Sequence, residues 1–154
     1  MPSRHNLKGR SKGGPPFVRL PWFMLESEAW RYLNPAARAV YLEVARLYNG
    51  RNNGLLALSV RDAAERCRIN KDTAGRALEA LRTTGFIDCV TLGGFSRKMR
   101  HASEWRLTVE KCDKTGELPS KAFMRWRPEP PIKGNQRSLL RVVSVPSFRT
   151  DDVE

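Results

Sequence analysis

The chain has 154 residues and a formal net charge of +12, with a pI of about 10.4. This length predicts one domain of about 100 residues with terminal segments outside it. The positive charge favours a polyanionic partner, nucleic acid above all, although lysine and arginine can also serve solubility alone. No apolar run approaches the roughly 20 residues that span a bilayer, and the basic N-terminus lacks the apolar core of a secretory signal. We therefore expect a cytoplasmic protein that makes no membrane contact.

Residues 1–16 predict a disordered basic arm. They contain no acidic residue, end in glycine and proline, and carry the cations Arg4, Lys8, Arg10 and Lys12. Such a composition cannot bury a core. Two interpretations stay open: the arm follows DNA phosphates or enters the minor groove, or it is a leader that only adds charge.

Two helices are predicted before residue 50. The segment Phe17–Leu25 contains Pro21, which favours an extended entry segment rather than a helix. Ser27 is a preferred N-cap residue and begins a short helix. Asn34–Pro35 combines an N-cap with proline at the first helical position, and it begins a longer helix that ends at Asn49. The apolar face of that helix consists of Ala37, Val40, Tyr41, Val44, Leu47 and Tyr48.

A turn, a short strand and a third helix follow. Arg51–Gly54 carries the turn signal Asn-Gly, and Leu55–Leu58 predicts a short strand. Ser59 and Asp62 have the spacing of a capping box, with aspartate in place of the preferred glutamate or glutamine. They begin a helix from Val60 to Cys67, whose inner face is Ala63, Ala64 and Cys67.

The stretch from Asn70 to Ile87 carries the principal functional signal. Asn70 is a predicted N-cap, and Gly85 ends the helix because glycine adopts the left-handed conformation at no steric cost. One face is apolar at helical spacing, with Ala74, Ala77, Leu78 and Leu81. The opposite face is polar and basic, with Lys71, Thr73, Arg76 and Arg82. A short helix of this kind is suited to lie in a DNA major groove.

Two strands and a basic loop complete the predicted domain. Phe86–Leu92 predicts a strand, which Gly93–Gly94 interrupts. Phe95–His101 is a basic loop without an acidic residue. Ser103–Thr108 alternates between apolar and polar residues, which predicts a second strand with one buried side.

This order of elements resembles a winged helix-turn-helix. The run Ala77-Leu78-x-x-Leu81-x-x-x-Gly85-Phe86-Ile87 is similar to the recognition-helix exit of many bacterial winged-helix DNA-binding proteins. The block Phe17–Thr108 resembles small helix-turn-helix proteins of bacterial chromosomes, plasmids and prophages, some of them related to replication-initiator domains. The resemblance implies an α+β, mainly α fold over residues 17–109, with a small antiparallel sheet that Leu55–Leu58 joins, between disordered tails. It also implies binding to double-stranded DNA at the bacterial nucleoid, without specifying a target sequence.

Three groups of residues are the predicted DNA contacts. The recognition helix offers Asn70, Lys71, Thr73 and Arg76, and a bidentate arginine–guanine contact contributes about 1–3 kcal/mol of discrimination. The DNA backbone would be contacted by Arg61 and Arg82. The wing offers Arg97, Lys98, Arg100 and His101 for the backbone or the minor groove, with an ordinary solvated loop as the alternative. Gly75, in mid-helix, lets either the neighbouring helix or the duplex approach, and we expect helix packing.

Residues 110–154 predict a largely flexible tail. Two short apolar segments interrupt it, Phe123–Trp126 and Leu139–Val145. Trp126 is expected to dock on the domain, with stacking on a base or binding to a partner protein as alternatives. The second segment suits pairing with a sheet edge of this chain or of a protein partner.

Enzyme chemistry has no support in the sequence. Cys67, Cys89 and Cys112 form no CxxC pair, so we expect reduced thiols, with the first two in the core, and neither a metal nor a cofactor. Gly93–Gly94 lacks the lysine and spacing of a phosphate-binding loop, and no paired-carboxylate or HExxH pattern occurs. We expect a protein that is not an enzyme.

Three functions remain open. The first is a sequence-specific transcriptional regulator, and the second is a replication or plasmid-maintenance factor that recruits proteins through its tail. The third is a winged helix used for protein–protein contact, against which the strong basic bias argues. The sequence also leaves a homodimer open, since it shows neither a heptad repeat nor an obvious dimer helix.

Overall fold

The computed structural model of the protein describes residues 16–95 and 100–129. The predicted arm up to residue 15, the wing tip at 96–99 and the apolar run Leu139–Val145 lie outside these residues. The helices are α1 (Trp22–Leu25), α2 (Glu28–Tyr32), α3 (Pro35–Arg46), α4 (Val60–Cys67), α5 (Lys71–Thr83) and a 3-10 helix (Ala122–Met124). The strands are β1 (Leu56–Ala57), β2 (Ile87–Thr91), β3 (Gly94–Phe95), β4 (Arg100–His101) and β5 (Glu104–Leu107). The predicted class, mainly helical with a small antiparallel sheet, is confirmed.

Helices α2 to α5 each begin at a side chain that caps them. The accepting atoms are Ser27 Oγ, Asn34 Oδ1, Ser59 Oγ and Asn70 Oδ1, and each accepts the N–H three residues later at 2.7–3.2 Å. The Asp62 carboxylate also accepts the Ser59 N–H at 3.4 Å, which completes the capping box. The hydrogen bond from the Ser59 hydroxyl holds the pKa of Asp62 below its ordinary value. These four predicted caps are confirmed.

Two helix boundaries differ from the prediction. Phe17–Leu25 does not stay extended, because Pro21 lies at the N-cap of α1 and its carbonyl accepts N–H groups of the first turn. Proline is compatible with that position, where its missing N–H would have no intrahelical partner. Helix α3 ends at Arg46 rather than Asn49, because the N–H groups of residues 47 and 48 bond three residues back instead of four.

The core lies between α3, α4 and α5 and the inner face of the sheet. Small residues line the crossings of α4 and α5, where Ala63, Ala64, Ala74 and Ala77 are buried. Small side chains there let the helix backbones approach closely, while Tyr41 and Phe86 provide the volume of the core. The whole predicted apolar face of α5, through Leu81, is buried.

The three-stranded sheet is antiparallel, with the order β1–β5–β2. The paired residues at its ends are Leu56 with Trp105, Ala57 with Glu104, Ile87 with Leu107 and Thr91 with Glu104. Trp105 and Leu107 face the core, as their alternation predicted. The β3–β4 hairpin connects to β2 and β5 at the Glu104 end of the sheet, which we call the wing end.

Residues 110–129 are attached to the domain at a few positions: Cys112 and Phe123 are buried and Trp126 is half-buried, while residues 113–121 are exposed. The predicted tail is therefore anchored at its predicted apolar segment and also at Cys112. Phe123 is buried and stacks on Phe86, with ring centroids 4.8 Å apart and 10° between the ring planes. The Lys121 N–H donates to the Thr108 carbonyl at 3.0 Å and anchors the segment. Polar side chains of the segment also bond to the domain, since Asp113 accepts the Asn53 N–H at 2.9 Å and Lys114 donates to Glu104 at 2.6 Å. Trp126 contacts Tyr32, with ring centroids 4.8 Å apart.

Gly85 serves both the predicted turn and this packing. Its φ is +81°, the left-handed conformation expected at the end of α5. A Cβ built on Gly85 would lie 2.8 Å from Ala122 Cβ and 2.8 Å from the Phe123 nitrogen. A larger residue at this position is therefore strained in the backbone and also blocked by the 3-10 helix.

Asn53 is fully buried and completes the edge of the sheet. Its Oδ1 accepts the Leu107 N–H at 2.7 Å, and its Nδ2 donates to the Leu107 carbonyl at 2.9 Å. The same Nδ2 donates to the carbonyls of Glu110 and Lys111. The side-chain amide thus makes the two hydrogen bonds that a strand residue would make with Leu107.

The thiols are arranged differently from the prediction. Cys112 is the buried one, because the loop after β5 folds over Asn53 and Gly54. Cys67 and Cys89 are half-buried at the border of the core, and burial raises the pKa of both thiols.

Candidate nucleic-acid interface

A tight turn joins α4 to α5. Arg68 ends α4 in the left-handed conformation, with φ of 54°, and the Ile69 N–H donates to the Ala64 carbonyl at 3.0 Å. Asn70 then caps α5 directly. The two helices are therefore held in a fixed relation by backbone hydrogen bonds, which orients the exposed face of α5 relative to α4.

The predicted base-reading residues lie on the outer side of α5. Lys71 and Arg76 are exposed and Thr73 is half-buried. Within the part of the chain that the structure describes, neither Lys71 nor Arg76 has a carboxylate within 4.0 Å. Asn70 Oδ1 accepts the hydrogen bond that caps α5, so the side-chain atom left for DNA is the donor Nδ2.

The two predicted backbone contacts differ in their surroundings. Arg61 is exposed in the first turn of α4. Arg82 donates to both carboxylate oxygens of Glu79, at 2.8 and 3.0 Å. That hydrogen-bonded carboxylate raises the pKa of Arg82 and partly neutralises its charge. A phosphate contact by Arg82 therefore competes with Glu79, whereas Arg61 has no such competitor among residues 16–95 and 100–129.

The base of the predicted wing is built on two glycines. A Cβ on Gly93 would lie 2.9 Å from the Ser103 nitrogen, and one on Gly94 would lie 2.9 Å from His101 Cε1. His101 Nε2 lies 3.0 Å from the Leu92 carbonyl oxygen, which accepts, so Nε2 carries the hydrogen. His101 thus bridges the two sides of the hairpin and remains exposed. Arg97 and Lys98 lie outside the described residues, as does the side chain of Arg100.

A series of contacts links the hairpin base to the front of α5. The Leu58 N–H donates to the Ser103 carbonyl at 3.1 Å, beside the hairpin. Leu58 directly precedes Ser59, the cap of α4. A Cβ built on Gly75 of α5 would lie 3.7 Å from Val60 Cγ1, in the first turn of α4. The wing end of the sheet, the start of α4 and the Gly75–Arg76 turn of α5 are therefore neighbours.

Gly75 faces α4, as expected, but the packing does not require glycine. The 3.7 Å distance from its built Cβ to Val60 is ordinary van der Waals contact, so alanine would fit. The close approach of the two helices thus leaves room for a methyl group.

The sequence comparison agrees with this geometry. Residues 31–87 match the model of the family described as helix-turn-helix domain, from α2 to the first residue of β2. Over this range, a little over a third of its length, the chain is similar to a helix-turn-helix domain. No curated protein and no solved structure matches the chain. The match supports a helix-turn-helix DNA-binding protein, and the sheet and hairpin are consistent with the winged form.

One exposed cation near this helix-turn-helix was not predicted as a contact. Arg68 is exposed in the turn between α4 and α5, and its own left-handed backbone conformation fixes where its side chain begins. Its place in the turn of a helix-turn-helix was the available signal. Among the described residues there is no cluster of three or more histidine, cysteine, aspartate or glutamate side chains that could hold a metal, and no helix with the length and apolar character to span a membrane.

Proposed function

We propose that the protein is a sequence-specific regulator of transcription that binds double-stranded DNA at an operator, in the bacterial cytoplasm at the nucleoid. The observation that carries this proposal is the exposure of Lys71 and Arg76 on α5, next to the start of α4 and the base of a hairpin. Cations grouped in this way match the polyanionic major groove and the phosphates beside it. The net charge of +12 adds a general attraction to DNA.

The residues have different roles in this proposal. Arg76 and Lys71 donate to acceptor atoms on base edges, and Thr73 contacts a base or a phosphate. Arg61 and the wing cations Arg97, Lys98 and Arg100 contact phosphates, which positions the protein without specifying sequence. His101 and Asn70 act from fixed side chains, because one holds the hairpin and the other caps α5. Arg82 contributes least, because Glu79 already binds it.

Binding to selected duplexes tests the role of α5. The full chain is used to select duplexes from a random pool, and the wild type and Arg76→Ala are titrated against the selected sequence. Arg76→Ala should weaken binding by about 5- to 150-fold, the equivalent of 1–3 kcal/mol, and relax the preference at one base pair.

Arg51→Ala is the matched control for Arg76→Ala. It removes the same charge from an exposed turn beside Asn53, at the end of β5 away from the hairpin. Its affinity and sequence preference should equal those of the wild type. Equal behaviour of the two variants would reject base reading by Arg76.

A genome-wide footprint distinguishes regulation from replication. Occupied sites upstream of genes, with transcripts that change when the protein is removed, are the expected result. Occupancy restricted to repeats at an origin, with unchanged transcripts, would reject regulation and assign the protein to replication or plasmid maintenance.

A further inference from the structure

An aromatic surface lies at the end of the domain opposite the wing. Large side chains remain exposed there on α1, α2 and the 3-10 helix: Trp22 at 77%, Tyr32 at 65%, Met124 at 43% and Phe23 at 40% of their surface. With the half-buried Trp126 they form what we call the aromatic patch. Two ring contacts lie within it, because Trp126 contacts Tyr32 and Phe23 stacks on the buried Phe123 with centroids 6.3 Å apart. The elements that carry it are neighbours, since α2 contacts both α1 and the 3-10 helix.

The aromatic patch lies at the opposite end of α5 from Lys71, the end at which Arg82, the weakest of the proposed DNA contacts, also lies. The underlying Phe123 packs on Phe86, which follows the C-terminal end of α5. Lys71 lies at the other end of this helix of 13 residues, which at 1.5 Å per residue is about 20 Å long. A partner on the aromatic patch therefore leaves the front of α5 accessible.

We propose that the aromatic patch is a self-association surface that binds the same patch on a second copy of this chain. At roughly 200 Å² for each large side chain, the exposed fractions correspond to about 450 Å² of apolar surface per molecule. A standard interface buries about 800 Å² per partner, of which a little over half is apolar. The aromatic patch supplies that apolar share.

The charges around the aromatic patch favour a second copy over a polyanion. Segments 21–33 and 121–129 carry four cations, Arg31, Lys121, Arg125 and Arg127, and three acids, Glu26, Glu28 and Glu129. This near balance contrasts with the net charge of +12 of the whole chain. Opposite charges on these segments already pair within one molecule, where Arg127 Nε lies 3.3 Å from Glu28. In a two-fold contact the same residues can pair between copies.

The oligomeric state of the full chain tests this inference without DNA, so its outcome does not depend on the proposed function. Sedimentation equilibrium should show a concentration-dependent shift from 17.5 kDa towards twice that mass, over about 1–200 µM. Trp22→Glu combined with Tyr32→Glu should raise the dimer dissociation constant at least tenfold, because a central aromatic residue typically contributes over 1.4 kcal/mol to an interface. Circular dichroism and urea unfolding confirm that the variant is folded, and Trp22→Ala is a milder second variant.

Leu55→Glu is the control for a new charge on an exposed apolar residue. Leu55 is 48% exposed and precedes β1, away from the aromatic patch. Its dimer dissociation constant should equal that of the wild type. A wild type that stays monomeric over the whole range, or a folded double variant that dimerises like the wild type, would overturn the inference. The aromatic patch would then belong to a different partner, such as an acidic protein or a nucleic acid.

Discussion

Removing the side chain of Asn53 should destabilise the domain far more than its place in an Asn-Gly turn suggests. Asn53→Ala leaves the buried N–H and C=O of Leu107 without the partners that they have at 2.7 and 2.9 Å. An unsatisfied buried backbone group costs about 1–3 kcal/mol, so the two together cost about 4 kcal/mol. The carbonyls of Glu110 and Lys111 also lose a donor, but water can reach them at the half-exposed loop.

Urea unfolding followed by tryptophan fluorescence measures this loss. Asn52→Ala is the matched control, because Asn52 also makes two side-chain hydrogen bonds, with the Asn49 N–H and the Leu47 carbonyl. These groups lie nearer the surface, so water replaces the amide and the expected cost is about 1 kcal/mol. Equal losses for the two variants, both near 1 kcal/mol, would refute the assignment of Asn53 as a substitute strand residue.

Three further outcomes follow from caps, burial and charge. Ser59→Ala should lower the free energy of unfolding by about 1 kcal/mol and raise the pKa of Asp62. The difference in stability between wild type and variant should shrink below pH 4, because the carboxylate that the hydroxyl stabilises becomes protonated there. A difference that does not depend on pH would contradict this. Burial raises the pKa of Tyr41. Its contribution to stability is therefore present below pH 10 and is lost as the pH rises, because the tyrosine ionises first in the unfolded chain. Tyr41→Phe should reduce the fall of unfolding free energy with pH by up to about 1.4 kcal/mol per pH unit, and an unchanged pH profile would argue against it. Replacing the three cations of residues 97–100 with alanine should weaken binding to all duplexes. It should also make the negative slope of log affinity against log salt shallower, by roughly one per lost phosphate contact. An unaltered slope would exclude these cations from the interface.

Local signals predicted the helices well. An N-cap side chain bonds to an N–H only three residues away, so Ser27, Asn34, Ser59 and Asn70 could be recognised from the sequence alone. The signal at Gly85 is equally local, because its turn conformation depends on the chain around it. The exposed face of α5 followed from its buried face by helical periodicity.

Contacts between distant parts of the chain were not predictable in this way. Phe123 and Phe86 are 37 positions apart in the sequence. The apolar segment Phe123–Trp126 predicts docking on the domain, but its sequence does not indicate that Phe123 stacks on Phe86. Asn53 gave a turn signal, which is correct, but its four side-chain hydrogen bonds go to residues 107–111. Pro21 predicts an extended segment because composition does not distinguish proline inside a helix from proline at its start, where it lies in α1.

Backbone amide shifts during titration of a selected duplex into the full chain test the central claim most directly. The largest changes are expected in residues 70–76 of α5, in the first turn of α4 at residues 59–61 and at the hairpin base at residues 101–103. Residues 22–32 and 122–126, under the aromatic patch, should shift little. Changes concentrated on the aromatic patch, with α5 unaffected, would contradict DNA recognition by this helix.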